Sequence, residues 1–177
     1  LVYIVEAADD ICYEIMDIED AHKLRILDKD QTFALLEGFF GEEKDPDFYK
    51  KRGEVFDEVT DLNERVAYLR ASVINKLVNL TAGIFLEHQD EILSGAFRGS
   101  LMDHLPDHER KAFEMCKKLA VKDIYNDRSV VKIELTGFNV LGTLLKEFTY
   151  AVRHPGSQYA RKLLSLMPEQ YTLQQGS

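Results

Sequence analysis

An all-α fold is predicted by three features of the sequence. Apolar residues recur in steps of three and four over long stretches, helix-starting residues stand ahead of several of those stretches, and no internal repeat or low-complexity segment interrupts them. With 177 residues, 45% of them hydrophobic, the chain is long enough to bury about 70% of its unfolded surface in one compact core.

Taken in order, the first helix is read from Ile4, whose apolar successors Ala8, Ile11, Ile15 and Ile18 form one stripe. No Ser, Thr, Asp or Asn precedes it as a cap, and the first residue is Leu1 rather than Met, so the chain is expected to begin inside a helix as a fragment of a longer protein. A second helix is expected over 31–40, ending at Gly41. The segment 41–53, GEEKDPDFYKKRG, is charged, contains Pro46 and reads as a surface connection. The longest pattern follows. Leu62, Val66, Leu69, Val73, Leu77, Leu80 and Ile84 step by four and three, and Asp61 with Glu64 offers a capping box, which predicts a helix running on to Leu93.

Pro106 opens another helix, carrying Phe113, Cys116, Leu119 and Ala120 towards Tyr125. The stretch 129–137, SVVKIELTG, has β-branched residues and partial alternation; it is taken as helical or irregular rather than as a short strand. Val140, Leu141, Leu144, Leu145, Phe148 and Val152 then repeat at helical spacing until Pro155 and Gly156. A short helix is expected over 159–166, before Pro168, and the polar end TLQQGS reads as a frayed terminus.

Composition narrows the function classes. A net charge of −9 and a pI near 5.1 argue against a broad nucleic-acid surface, which needs a basic field. No apolar run approaches 18 residues and no signal peptide is visible, so neither a membrane span nor export is indicated and the cytoplasm is the default compartment. Cys12 and Cys116, far apart and inside apolar helical patterns, are read as reduced core residues. His104 and His108 have a ligand-like spacing that Pro106 breaks, and His88, near Asp90 and Glu91, reads as a surface group. Walker, GxSxG and GxGxxG motifs are missing from the sequence.

The segment 5–20, VEAADDICYEIMDIED, is the informative one: seven of its sixteen residues are acidic and none is basic. Asp9, Tyr13 and Asp17 fall at i, i+4 and i+8, on one helical stripe about 80° wide. Asp9 neighbours Val5, Cys12 and Met16 at the edge of an apolar arc and is expected to be the least solvated carboxylate. The like-charged pairs Glu6 with Asp10 and Asp10 with Glu14 call for a positive group to offset them. Two readings follow. Either the face is simply solvated, or Asp9 is kept ionised by a divalent cation while the amphipathic ring of Tyr13 packs on a sugar or base. One carboxylate cannot hold a metal alone.

EAADDICY followed by DIEDAHKLRIL resembles the last motif of the HD-domain deoxynucleoside triphosphate triphosphohydrolases, the dGTPase family. Softer similarity runs through YLRASVINKLV, FLEHQDEILSGAF and VVKIELTGFNVLGTLLKEF. The resemblance implies an HD-type helical fold in which 1–25 is the last helix of the catalytic domain and 26–177 a C-terminal helical region. It implies that Asp9 is the final ligand of a Mn²⁺ or Mg²⁺ ion, that Tyr13 packs on the deoxyribose, and that Asp17 accepts from the sugar 3′-hydroxyl. The family's other ligands are a His and an adjacent His-Asp pair. This chain contains no His-Asp doublet, so three of the four ligands are expected upstream of Leu1 and the chain alone is expected to be inactive.

The implied reaction is hydrolysis of dGTP or another dNTP to the deoxynucleoside and inorganic triphosphate, in a homo-oligomer. Arg65 and Arg70 are candidate triphosphate contacts and Tyr68 a second sugar or base contact. The competing expectations are a non-catalytic helical module for nucleotide binding or oligomerisation, and an HD phosphohydrolase acting on another nucleotide.

Overall fold

Capping residues and apolar stripes set the elements of the computed structural model, which describes residues 1–172 and has no strand among them. α1 (Val2–Lys23) starts behind Leu1 without a side-chain cap. It ends where Arg25 takes a left-handed backbone, φ 59°, so that the amides of Ile26 and Leu27 both return to the Ala21 carbonyl. α2 (Lys29–Glu37) opens on a full capping box: the Gln31 amide donates to Asp28 at 2.8 Å and the Asp28 amide donates to the Gln31 side chain at 3.1 Å. The box fixes an earlier start than the expected 31–40, and Gly38 ends the helix early.

The segment 41–53 is not a surface connection throughout. Its second half lies in α3 (Pro46–Glu58), because Pro46 stands in the first helical turn, where its missing N–H breaks no bond. Phe48 stacks on Phe40 with ring centroids 3.6 Å apart, and Tyr49 donates its hydroxyl to the Phe40 carbonyl at 2.9 Å.

α4 (Leu62–Glu87) is the central element. Asp61 accepts from the Glu64 amide at 3.0 Å, and Val66, Leu69, Val73 and Leu77 are fully buried, as their spacing predicts. The helix stops at His88, short of Leu93, and α5 (Gln89–Ser94) carries the chain to Gly95, whose φ of 76° ends it. By length and composition alone α4 would suffice to cross a membrane. In this fold its apolar stripe belongs to the core, and Arg70 and Lys76 on it pair with Glu19, Asp45 and Glu109.

A 3₁₀ turn (Met102–His104) leads to α6 (Asp107–Leu119), which follows Pro106 and continues as a π-helical turn, Ala120–Ile124. His104 thus lies in a turn and His108 in the first turn of a helix, as Pro106 implied. α1, α2, α4, α6 and the π turn close round one core that includes Ile11, Ile15, Leu36, Phe39, Leu69 and Cys116. Cys116 is buried there as expected, whereas Cys12 is exposed. It sits about 100° round α1 from Ile11, away from the buried stripe.

Leu1–Asp127 forms this compact unit. A second unit begins at Arg128. In it α7 (Arg128–Arg153) takes in 129–137 as regular helix and is followed by α8 (Gln158–Leu164), capped by Ser157, and the short α9 (Glu169–Thr172). Within α7 only Ala151 is fully buried, while Ile133, Phe138, Leu141 and Leu145 are exposed. Residues 173–177 of the polar end lie outside the described residues.

Candidate functional site

The packing of α1 decides what its acidic residues can do. Ala7, Ile11, Ile15 and Ile18 turn into the core, which places Asp9 roughly 180° away on the outward side. Asp9 is exposed and is not the least solvated carboxylate. That description belongs to Glu14 and Glu19, 7% and 5% exposed. The reason is that α1 carries two apolar arcs. One is buried; the other, with Val2, Val5, Cys12 and Met16, surrounds Asp9 and is exposed. Tyr13, 58% exposed, and the half-buried Asp17 continue the same outward stripe.

Positive groups reach α1 at Glu19, from α4 and from Lys23 on α1 itself, and at Glu14; among the described residues no ion pair offsets Glu6 or Asp10. Glu19 binds Arg70 of α4 at 2.5 Å and Lys23 at 3.0 Å. Glu14 lies within the field of Lys117 of α6, yet burial dominates and pushes its carboxyl above the usual range, with Asp17 and Asp10 adding to the rise. Its Oε2 is buried without a hydrogen-bond partner. The same burial, with Glu14 nearby, pushes the Cys116 thiol up to about 12.

Tyr125 is the residue that spacing did not disclose as part of this site. Its hydroxyl donates to Oδ2 of Asp17 at 2.6 Å, and its ring centroid lies 6.3 Å from that of Tyr13, tilted by 45°. Burial raises its hydroxyl well above the ordinary tyrosine range, reinforced by the bond to Asp17 and by the Tyr13 hydroxyl. Tyr125 and Asp17 are 108 positions apart, and only the fold brings them together.

The remaining candidates have other engagements. Arg65 donates from Nε to the Val59 carbonyl at 2.6 Å and from Nη2 to the Phe56 carbonyl at 2.7 Å, closing the end of α3. Tyr68 meets the edge of Phe56, with centroids 6.5 Å apart. Arg70 is the ion-pair partner of Glu19. Asp9, Tyr13 and Asp17 therefore share a stripe, whereas Arg65 and Tyr68 converge on Phe56. Among the described residues no three His, Cys, Asp or Glu side chains come together as metal ligands, so this chain by itself does not fit a divalent cation. Asp9 offers one exposed carboxylate.

No family model matches the chain. Individual proteins do. A deoxyguanosinetriphosphate triphosphohydrolase-like protein of Pseudomonas aeruginosa is 31% identical over 172 residues, covering 94% of this chain and 38% of that protein. One from a Synechocystis species is 32% identical, covering 94% of the chain and 35% of its own length. A deoxyguanosinetriphosphate triphosphohydrolase of Yersinia enterocolitica is 30% identical, covering 98% of the chain and 36% of its own length. The chain is homologous to the dGTP triphosphohydrolases. It spans less than two fifths of the length of these triphosphohydrolase relatives. Because the Yersinia triphosphohydrolase match covers 98% of the chain, it takes in the outward stripe of α1 and Tyr125 alike.

Proposed function

We propose that this chain forms part of a hydrolase that splits a deoxynucleoside triphosphate into deoxynucleoside and inorganic triphosphate. The observation that carries the reading is the outward stripe of α1, on which Asp9, Tyr13 and Asp17 stand opposite the face that packs into the core. The names of the relatives make dGTP the first substrate to try. In this reading the Tyr13 ring packs against the sugar, and Asp17 accepts a hydrogen bond from a sugar hydroxyl. Asp9 supplies one carboxylate to a Mn²⁺ or Mg²⁺ ion whose other ligands lie outside this chain. The exposed apolar arc of Val2, Val5, Cys12 and Met16 supports the reading, since apolar surface around a carboxylate suits a site closed by further protein. Water attacks the α-phosphorus, the bond to O5′ breaks, and the nucleoside leaves with a proton. Holding the sugar fixes the leaving oxygen in line. The exposed apolar face of α7 fits a contact between copies in a homo-oligomer, and the cytoplasm is the proposed compartment.

The test is release of inorganic triphosphate from each dNTP with Mn²⁺ or Mg²⁺, comparing this chain with the protein extended upstream. Turnover only in the extended protein, lost in its Asp9→Ala variant, is expected. Because Asp9 is exposed in the 177-residue chain, the same substitution made in that chain should leave its unfolding free energy within about 0.5 kcal/mol of the parent. An active Asp9→Ala protein would overturn the role of Asp9. If neither protein released triphosphate, the non-catalytic module or another phosphohydrolase substrate would take precedence.

A further inference from the structure

Tyr125 has no role in the motif that α1 carries, yet it is the side chain that holds Asp17. It arrives there through an unusual backbone. The chain leaves α6 as a π-helical turn, Ala120–Ile124, and the Tyr125 amide reaches back five residues to the Ala120 carbonyl at 2.9 Å. A π turn places one residue more per turn than an α-helix and so re-aims the side chain that follows it; such turns are frequent at functional sites. Ala120 and Ile124, both buried, anchor this one in the core, and Tyr125 projects onto α1.

The hydroxyl has a single hydrogen to give, and it goes to Oδ2 of Asp17 at 2.6 Å, the short distance of a bond to a charged acceptor. That leaves Oδ1 to accept from elsewhere. The two rings are too close to sandwich a ligand between them: 6.3 Å separates their centroids, whereas an intervening group needs carbon contacts of about 3.5 Å on each side. A ligand must lie against the outward face of Tyr13, alongside the remaining oxygen of Asp17. Tyr13, Asp17 and Tyr125 are thus arranged as a platform, an acceptor and a brace.

We infer that Tyr125 is a positioning residue that fixes which oxygen of Asp17 is offered to a sugar hydroxyl, and so sets the discrimination between a 3′-hydroxyl and a 3′-deoxy sugar. The inference rests on the proposed triphosphohydrolase reading. It makes Tyr125 act through Asp17, so its removal changes recognition of one hydroxyl and leaves the rest of the nucleotide's binding intact.

The experiment uses the full-length protein and its Tyr125→Phe, Asp17→Asn and doubly substituted variants. KM and kcat are measured for the best-hydrolysed dNTP, and the matching 2′,3′-dideoxynucleoside triphosphate is titrated as a competing inhibitor. Tyr125→Phe keeps the ring and its packing. It is expected to raise KM about five- to tenfold, the cost of a loosened hydrogen bond to a charged group, with the inhibition constant of the dideoxy compound unchanged within about twofold. Asp17→Asn should lose the same discrimination, and the double variant should be no worse than Asp17→Asn alone. Equal losses for both nucleotides, or additive losses in the double variant, would assign Tyr125 to general packing and overturn the inference. A full-length parent that releases triphosphate from no dNTP removes the underlying reading instead.

Discussion

Glu14 lies on the inward side of α1 with one carboxylate oxygen unpartnered, and burial outweighs Lys117 in setting its proton affinity. The sign of the consequence is definite. A carboxyl raised on folding keeps its proton where the unfolded chain, ionising near 4.5, has lost it. The contribution of Glu14 to stability is therefore greatest below that value and falls as pH rises through it towards the folded value. Glu14→Gln keeps the shape and drops the charge. It should match the parent in denaturant titrations at pH 4 and exceed it by about 1 kcal/mol at pH 7; a variant weaker than the parent at pH 7 would show that attraction to Lys117 prevails. The same residue shows where the sequence was ambiguous. The 3.6-residue period placed Asp9, Tyr13 and Asp17 on one stripe, as the structure has them. It also drew an apolar arc beside Asp9, and periodicity alone does not say which of two arcs a chain covers. Asp9 was expected to be shielded because its neighbours are apolar, but those neighbours are exposed here and Glu14 is the buried acid.

At the level of elements, helices with complete inward stripes were legible, and a helix held by half-buried aromatic and cationic contacts was not. α4 exposes its logic in the spacing of Val66, Leu69, Val73 and Leu77. α3 has no fully buried residue, so its charged sequence and Pro46 resembled a connection. What fastens it is visible only in three dimensions. Arg52 pairs with Glu37 at 2.6 Å, and the guanidinium groups of Arg52 and Arg65 lie 4.6 Å and 5.0 Å from the centroid of Phe56. Arg65 also caps the last carbonyls of the helix. Removing it by Arg65→Ala leaves two acceptors without their charged donor and costs a ring contact, about 2 kcal/mol together. Amide hydrogen exchange should accelerate in α3 before α4. Arg65→Lys, which keeps the charge but not the fork that reaches both carbonyls, should recover less than half of the loss. Unchanged exchange in α3 would mean that Arg65 is not its fastening and would return it to the pool of candidate triphosphate contacts.

For the whole molecule, the distribution of the core makes a stronger demand than the number of helices. Every member of the hydrophobic cluster, from Ala7 to Ile124, lies in the unit Leu1–Asp127, and its main polar ties do too: Arg70 to Glu19, Lys76 to Asp45 and Glu109, and Tyr125 to Asp17. A chain ending after Asp127 loses none of these. At this size roughly two thirds of the unfolded surface can still be buried, so the truncated chain should unfold in one cooperative transition, with a midpoint within a few degrees of that of the 177-residue chain. It should also shed the exposed apolar side chains of α7, Ile133, Phe138, Leu141 and Leu145, and so show weaker concentration-dependent self-association by sedimentation. A broad, non-cooperative melt would show that the second unit contributes to the stability of the first. Persistence of self-association would move the contact between copies from α7 to the outward arc of α1, where it would compete directly with access to Asp9, Tyr13 and Asp17.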